Sequence, residues 1–258
     1  MPDSSFKILF EYIADGESAA IREQLKQLPA RCAPGIRFNY STGDTTLLGL
    51  VLQAVLGQER LTDYLSRKVW SHIGMESDGY WIIDGQDGTA WGGGCISMTL
   101  RDEGRFGLFL LNGGLIDGVP QLPDQWSQSA YQPATNAPHL AYGNLYEAIN
   151  GYEDPFAYPL GYGYSWWCLP PTWTAWDELE STEVWGDRII PQPRSNFHHI
   201  LNSFTALGVF GQYLHINPQS RQVTVIWSAW DDAEYDPMDF ETLCFIEDIT
   251  AFLASQDR

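Results

Sequence analysis

The chain has 258 residues, 44% hydrophobic and 18% charged, a balance that fits an ordered core and excludes a disordered chain. Its net charge of −19, with three lysines, argues against nucleic acid or an anionic membrane surface as a partner. Eleven Trp, thirteen Tyr and twelve Phe supply rings both for a core and for a wide, partly apolar cleft. Ala20, Ile21, Leu25 and Leu28 at helical spacing predict an amphipathic helix over 17–29, ended by Pro29 and Pro34-Gly35. Tyr40 follows in a loop. Asp44 is the expected N-cap of a helix over 45–56, whose Leu47, Leu48, Val51, Leu52, Val55 and Leu56 share one broad face, with Gly57 as its stop. The run 47–56 is the most apolar in the chain and too short to cross a bilayer, so no membrane insertion is expected. A further helix is predicted over 61–72, with Leu61, Tyr64, Leu65 and Val69 on one face.

Residues 84–97 read as a glycine-rich loop, and Thr99 opens a helix to about Leu111 with Asp102 as its capping-box acid. Residues 115–158 read as a connection with short helices, 161–168 as a strand, and 169–196 as an insertion containing Pro and Trp. Thr205 to Ile216 and Gln222 to Trp230 are predicted strands, joined by the turn 217–220 into an antiparallel hairpin. A final helix is expected over about 239–254, with Phe240, Leu243, Cys244, Ile249, Phe252 and Leu253 facing inward. Helices first, then an antiparallel sheet with a covering helix, make an α+β pattern: one domain over 1–258, mainly helical to 158, then sheet and helix. The cysteines (Cys32, Cys95, Cys168, Cys244) lack C-x-x-C spacing and fix no disulfide. His198-His199 diverge as neighbours with no third ligand suitably spaced, so they read as exposed loop residues and no metal site is expected.

Four pieces in order carry a resemblance. They are Tyr40-Ser41-Thr42 with Asp44-Thr45 and Leu48-Gly49; Gly92-Gly93-Gly94-Cys95 before Asp102, Arg105, Phe106 and Gly107; Tyr164-Ser165-Trp166-Trp167-Cys168; and Gly208-Val209-Phe210-Gly211-Gln212-Tyr213. Together they resemble the β-lactamase-related serine hydrolases (β-lactamase/transpeptidase-like), nearest the carboxylesterase and 6-aminohexanoate-dimer hydrolase branch. The resemblance spans most of the chain. It implies an all-α lobe and an antiparallel sheet flanked by helices, no cofactor, and a small ester or amide substrate. It also implies a serine nucleophile, activated by a lysine one helical turn later in an S-x-x-K helix, that forms an acyl-enzyme which water releases.

In that scheme Tyr40 is the phenol of the base network, and needs a nearby cation because an isolated phenol is a poor base at neutral pH. The backbone N–H of Val209 belongs to the oxyanion hole, and Gly208, Thr42 and Trp167 belong to substrate binding, Trp167 as a cleft-lining ring. Thr42 stands where β-lactamases carry the asparagine of Y-x-N, and Ala206 stands where they carry the lysine of K-T-G. Loss of that cation argues against β-lactam recognition and for esters or uncharged-end amides. Only thirty-nine residues precede Tyr40, and Ser4-Ser5-Phe6-Lys7 has the S-x-x-K spacing without an apolar helix around it. The expectation is therefore a carboxy-terminal portion of a hydrolase, with its amino-terminal strands and nucleophile helix absent and an exposed edge open to self-association. Two alternatives stay beside it: a non-catalytic remnant that binds a small ligand or partner, and a β-lactamase or DD-peptidase. Residues 1–7 show no signal peptide and assign no compartment.

Overall fold

A computed structural model describes residues 20–27, 33, 40–83, 88–126, 129, 161–169, 184–185, 188–189, 197–233 and 236–256. Its contacts divide the chain into two units, one of Met1–Ile36 with Tyr40–Arg105, the other of Phe106–Arg258 with Arg37–Asn39. The described helices of the first unit are α1 (Ala20–Gln27), α2 (Thr42–Leu56) and α3 (Leu61–Lys68), followed by a 3₁₀ turn over Trp70–His72 and the short strand pair β1 (Tyr80–Trp81) and β2 (Ile96–Ser97). Helix α4 (Leu100–Leu111) comes next.

Helix α2 begins earlier than its sequence pattern predicts. Ser41, not Asp44, is the N-cap, and its Oγ accepts the Asp44 N–H at 3.2 Å. A hydroxyl three residues ahead reaches that orphan donor, which leaves Asp44 in the first turn, where a carboxylate suits the helix dipole. Gly57 closes the helix at φ +67°, its N–H donating to the Gln53 carbonyl at 3.1 Å. Helix α3 stops at Lys68, short of the predicted 72, because its last turn tightens into the 3₁₀ form. At the start of α4 the expected cap is made with a hydroxyl in the return bond: the Asp102 N–H donates to Thr99 Oγ1 at 3.2 Å, and Thr99 Oγ1, in place of the backbone N–H of a capping box, donates to Asp102 Oδ2 at 2.8 Å. Asp102 is wholly buried and also accepts the N–H groups of Glu76 and Ser77 at 2.8 and 3.2 Å. Those donors, the Glu76 N–H foremost, with Arg105 alongside, hold its carboxyl below the usual carboxylate range.

The second unit is built on a five-stranded antiparallel sheet of order β11-β10-β9-β6-β5, from β5 (Gly161–Gly163), β6 (Trp166–Cys168), β9 (Phe204–Gly208), β10 (Gln212–Asn217) and β11 (Gln222–Trp227). Two hairpins lie outside it, β3 (Leu115–Ile116) with β4 (Val119–Pro120) and β7 (Val184–Trp185) with β8 (Arg188–Ile189). The sheet corrects the sequence reading twice. Residues 161–168 are a hairpin and not one strand, turning at Tyr164-Ser165 with φ of +52° and +68°. Residues 205–216 are likewise two strands, reversed where Phe210 and Gly211 take φ of +60° and +81°. The β3–β4 hairpin, inside a stretch read as a helical connection, turns on Asp117-Gly118, a dipeptide that suits a two-residue reversal.

Helix α5 (Asp236–Gln256) packs on one sheet face. Its Leu243 and Ile246 join Trp167, Leu169, Phe197 and Ile200 in the core, with Leu207 and Ile226 against them. The buried stripe of α5 runs through Leu243, Ile246, Glu247 and Thr250, so Phe252 and Leu253, expected inward, are exposed; the Phe240 side chain lies outside the described residues. On the other sheet face Gly107 of α4 meets Leu214 and Val223, where a Cβ would sit 2.5 Å from Val223 Cγ1. His215 on β10 pairs with Thr205 and Thr224 across the sheet and is fully buried. Neither of its ring nitrogens has a partner among the described residues, and burial pushes its pKa down to about 3.

Candidate active site

In the first unit Tyr40 directly precedes the N-cap of α2 and is 38% exposed. Thr42 opens the helix, and its carbonyl accepts the Thr46 hydroxyl at 2.7 Å. The same Thr46 Oγ1 accepts the buried Trp91 indole N–H at 2.7 Å. Trp91 leads the glycine loop, which a second indole secures: Trp81 Nε1 donates to the carbonyls of Trp91 and Gly94, both at 2.9 Å. Contact between loop and helix needs residues without a Cβ, since one on Gly49 would lie 2.9 Å from the Gly92 Cα. A Cβ on Gly93 would lie 2.5 Å from Thr46 Oγ1 and 2.8 Å from Thr42 Cγ2. The structure thus packs Thr42, Thr46 and Gly49 of α2 against Trp91, Gly92 and Gly93, with Tyr40 two residues ahead of Thr42 in the chain. Thr46 and Trp91, the residues that join helix to loop, were not singled out by sequence reasoning. Their only signal is a threonine one helical turn after Thr42 and a tryptophan immediately before three glycines.

In the second unit β9 ends at Gly208, and Val209 stands in the turn beyond it, 38% exposed. Among the described residues none accepts the Val209 N–H. The turn itself is held from both sides. Phe210 donates its N–H to Ala233 O at 2.9 Å and accepts from Trp230 N at 3.3 Å, while Ser228 N donates to Gly211 O at 3.0 Å. Gln212 Nε2 donates to Ser228 O at 2.7 Å, tying the turn to the chain that leaves β11. A rigid turn ending in an unpartnered N–H can stabilise a developing negative charge, because the dipole is in place before the charge appears. Ala206 is half-buried and carries no charge.

Trp167 has a core position. It is 5% exposed, pairs with Thr205, and meets the Tyr162 ring edge-on at 4.6 Å. Trp166, on the opposite face, is also buried and lies edge-on to Phe204 at 5.0 Å. His198 and His199 are exposed, as read from the sequence, and their backbone N–H groups, with that of Ile200, donate to Glu247 of α5 at 2.9 to 3.1 Å. Ser4 to Lys7 lie outside the described residues.

The 6-aminohexanoate-dimer hydrolase of Paenarthrobacter ureafaciens is 26% identical over 221 residues, which are 85% of this chain and 46% of that protein. Among solved structures, a Bacillus anthracis protein assigned as a candidate 6-aminohexanoate-dimer hydrolase superposes with TM-score 0.65 at 23% identity, over 91% of this chain and 49% of that one. A β-lactamase from Mycobacterium bovis (TM-score 0.51, 20% identity, 81% of this chain and 62% of that one) shares the fold. So does simvastatin synthase from Aspergillus terreus (TM-score 0.51, 16% identity, 90% and 60%). The chain spans about half the length of the 6-aminohexanoate-dimer hydrolases it matches. The sequence profile of the Beta-lactamase family matches residues 3–243, nearly the whole chain, and with this fold the chain belongs to the β-lactamase family.

Proposed function

We propose that the chain supplies the tyrosine and one oxyanion-hole donor of a serine hydrolase that cleaves amides or esters through an acyl-enzyme. The observation that carries this reading is Val209: an exposed turn residue directly after the Gly208 end of β9, in a braced hairpin, with its N–H accepted by no described residue. In this reading the nucleophilic serine and its lysine belong to an S-x-x-K helix outside these 258 residues. The serine Oγ attacks the carbonyl carbon while its proton passes to the lysine–Tyr40 network. The negative carbonyl oxygen accepts a hydrogen bond from the Val209 N–H, and the expelled alcohol or amine leaves with the proton. Water then repeats the sequence on the acyl-enzyme. Ala206 in place of a cation supports substrates without a carboxylate at that position.

The test begins with the coding sequence upstream of Met1. An in-frame S-x-x-K within the preceding hundred or so codons supports the reading, and an in-frame stop just before Met1 supports the ligand-binding remnant. With that segment expressed, Val209→Pro, which removes the N–H, lowers kcat on a nitrophenyl ester by roughly 10²- to 10³-fold. Tyr40→Phe is expected to give a loss of similar size. The 258-residue chain alone takes up no fluorophosphonate probe; stoichiometric labelling at Ser4 would overturn the assignment of the nucleophile.

A further inference from the structure

The register of the sheet places a second group beside the proposed oxyanion turn. Trp167 pairs with Thr205 and Cys168 with Phe204, where the ladder ends; counting on antiparallel from that register brings Ser165 to the level of Leu207 and Tyr164 to that of Gly208. The β5–β6 turn and the Val209 turn therefore lie side by side at one end of the sheet. Tyr164 is 60% exposed there, its ring edge-on to Trp126 at 6.1 Å. Its backbone is unusual. A two-residue reversal with positive φ at both positions normally takes Asn-Gly or Gly-Gly, yet here both are larger residues, at +52° and +68°. Such conformations cost free energy and persist where a side chain is needed at the tip.

The described acidic side chains of this unit include several at this end. Asp232 is exposed and directly precedes Ala233, whose carbonyl accepts the Phe210 N–H, and Asp124 is exposed two residues before Trp126. Among the described side chains of this unit, Arg221 is the only Lys or Arg. It precedes β11 at the opposite end of the sheet, about 17 Å away along the strand.

We infer that Tyr164, backed by Trp126, is the wall of a substrate subsite beside Val209, selecting neutral or cationic amides and esters with an apolar group next to the carbonyl and excluding anionic ones. This rests on the acyl-transfer reading above. The tyrosine ring offers a flat apolar face that also attracts a cation, and the carboxylates around it repel an anion. The strained tip holds the ring out from the sheet, where a residue in the strand would point into one of its packed faces.

The test uses the 258-residue chain and three rigid probes differing only in charge: benzamide, 4-(aminomethyl)benzamide and 4-carbamoylbenzoate. Binding is followed by ligand-observed NMR, and the Val209 amide by ¹⁵N shifts. The neutral and cationic probes are expected to bind at least threefold more tightly than the anion. Tyr164→Gly removes the ring and relieves the left-handed strain, so it weakens those two probes roughly three- to tenfold while the melting temperature holds or rises. Tyr164→Phe keeps the affinity. Unchanged affinity in Tyr164→Gly, or preference for the anion, overturns the subsite. Loss of affinity in Tyr164→Gly with no Val209 shift in the unsubstituted chain keeps the wall and counts against the acyl-transfer reading instead.

Discussion

Thr46 shows how much of this site depends on a residue without chemistry of its own. Its hydroxyl donates to the Thr42 carbonyl and accepts from the Trp91 indole, joining the tyrosine motif to the glycine loop by one oxygen. Thr46→Val keeps the shape and leaves the buried indole N–H without an acceptor. We expect a loss of roughly 1 to 3 kcal/mol in urea unfolding, with Thr46→Ser retaining most of the stability. Equal stability of the Val variant would mean that water or another acceptor reaches the indole. Short motifs mark Tyr40, Thr42, Gly208 and Val209 as candidates in the sequence. Thr46 and Trp91 carry no such mark, because what links them is a contact between residues forty-five positions apart.

Glu247 anchors one element to another. Its two oxygens accept the N–H groups of three consecutive residues, His198 to Ile200, and Oε1 lies 2.7 Å from His199 Nδ1. Glu247→Gln places an amide among donors and is expected to cost roughly 2 to 4 kcal/mol, whereas His199→Ala costs under about 1 kcal/mol because the backbone makes most of the contact. Urea midpoints of the two variants check the ranking; the reverse order would place the anchor in the imidazole. At this scale periodicity identified α2, α4 and α5 within a few residues, because an apolar spacing of three and four is a local signal. The strands were read too long for an equally local reason. Tyr-Ser and Phe-Gly are poor turn signals, and the left-handed backbone of Tyr164, Ser165 and Phe210 leaves no mark in the local sequence. The inward face of α5 was misjudged because Glu247 is buried to serve a backbone, and a hydrophobic pattern gives no hint of that.

For the whole molecule, acid is the predicted weakness, and two buried groups act in the same direction. His215 titrates near 3 when folded and near 6.5 when unfolded, so between those values the unfolded chain holds a proton that the folded chain does not. Stability is complete above pH 6.5 and falls by up to about 1.4 kcal/mol per pH unit below it. The contribution of Asp102, whose folded pKa is depressed, is present above its unfolded value and lost as pH drops through the folded one. Unfolding free energies at pH 7, 6, 5 and 4 are expected to decline throughout, and His215→Leu should flatten the part above pH 4. Parallel curves for the two proteins would show that the folded His215 takes up its proton normally, its ring N–H groups finding hydrogen-bond acceptors.

Helix α2 keeps its smallest residues inside, with Gly43 and Thr46 buried and Gly49 against Gly92, while Leu47, Leu48, Val51, Leu52 and Val55 are 38 to 78% exposed. A saturation scan of this helix would therefore give an inverted map. Leucines and valines accept lysine or glutamate at under about 0.5 kcal/mol, and the glycines and threonine reject even alanine or valine. The double variant Leu48→Lys, Val55→Lys is expected to fold as stably as the parent and to sediment with less concentration dependence. A helix that looks like core from its composition would then be a place where the 258-residue chain tolerates added charge.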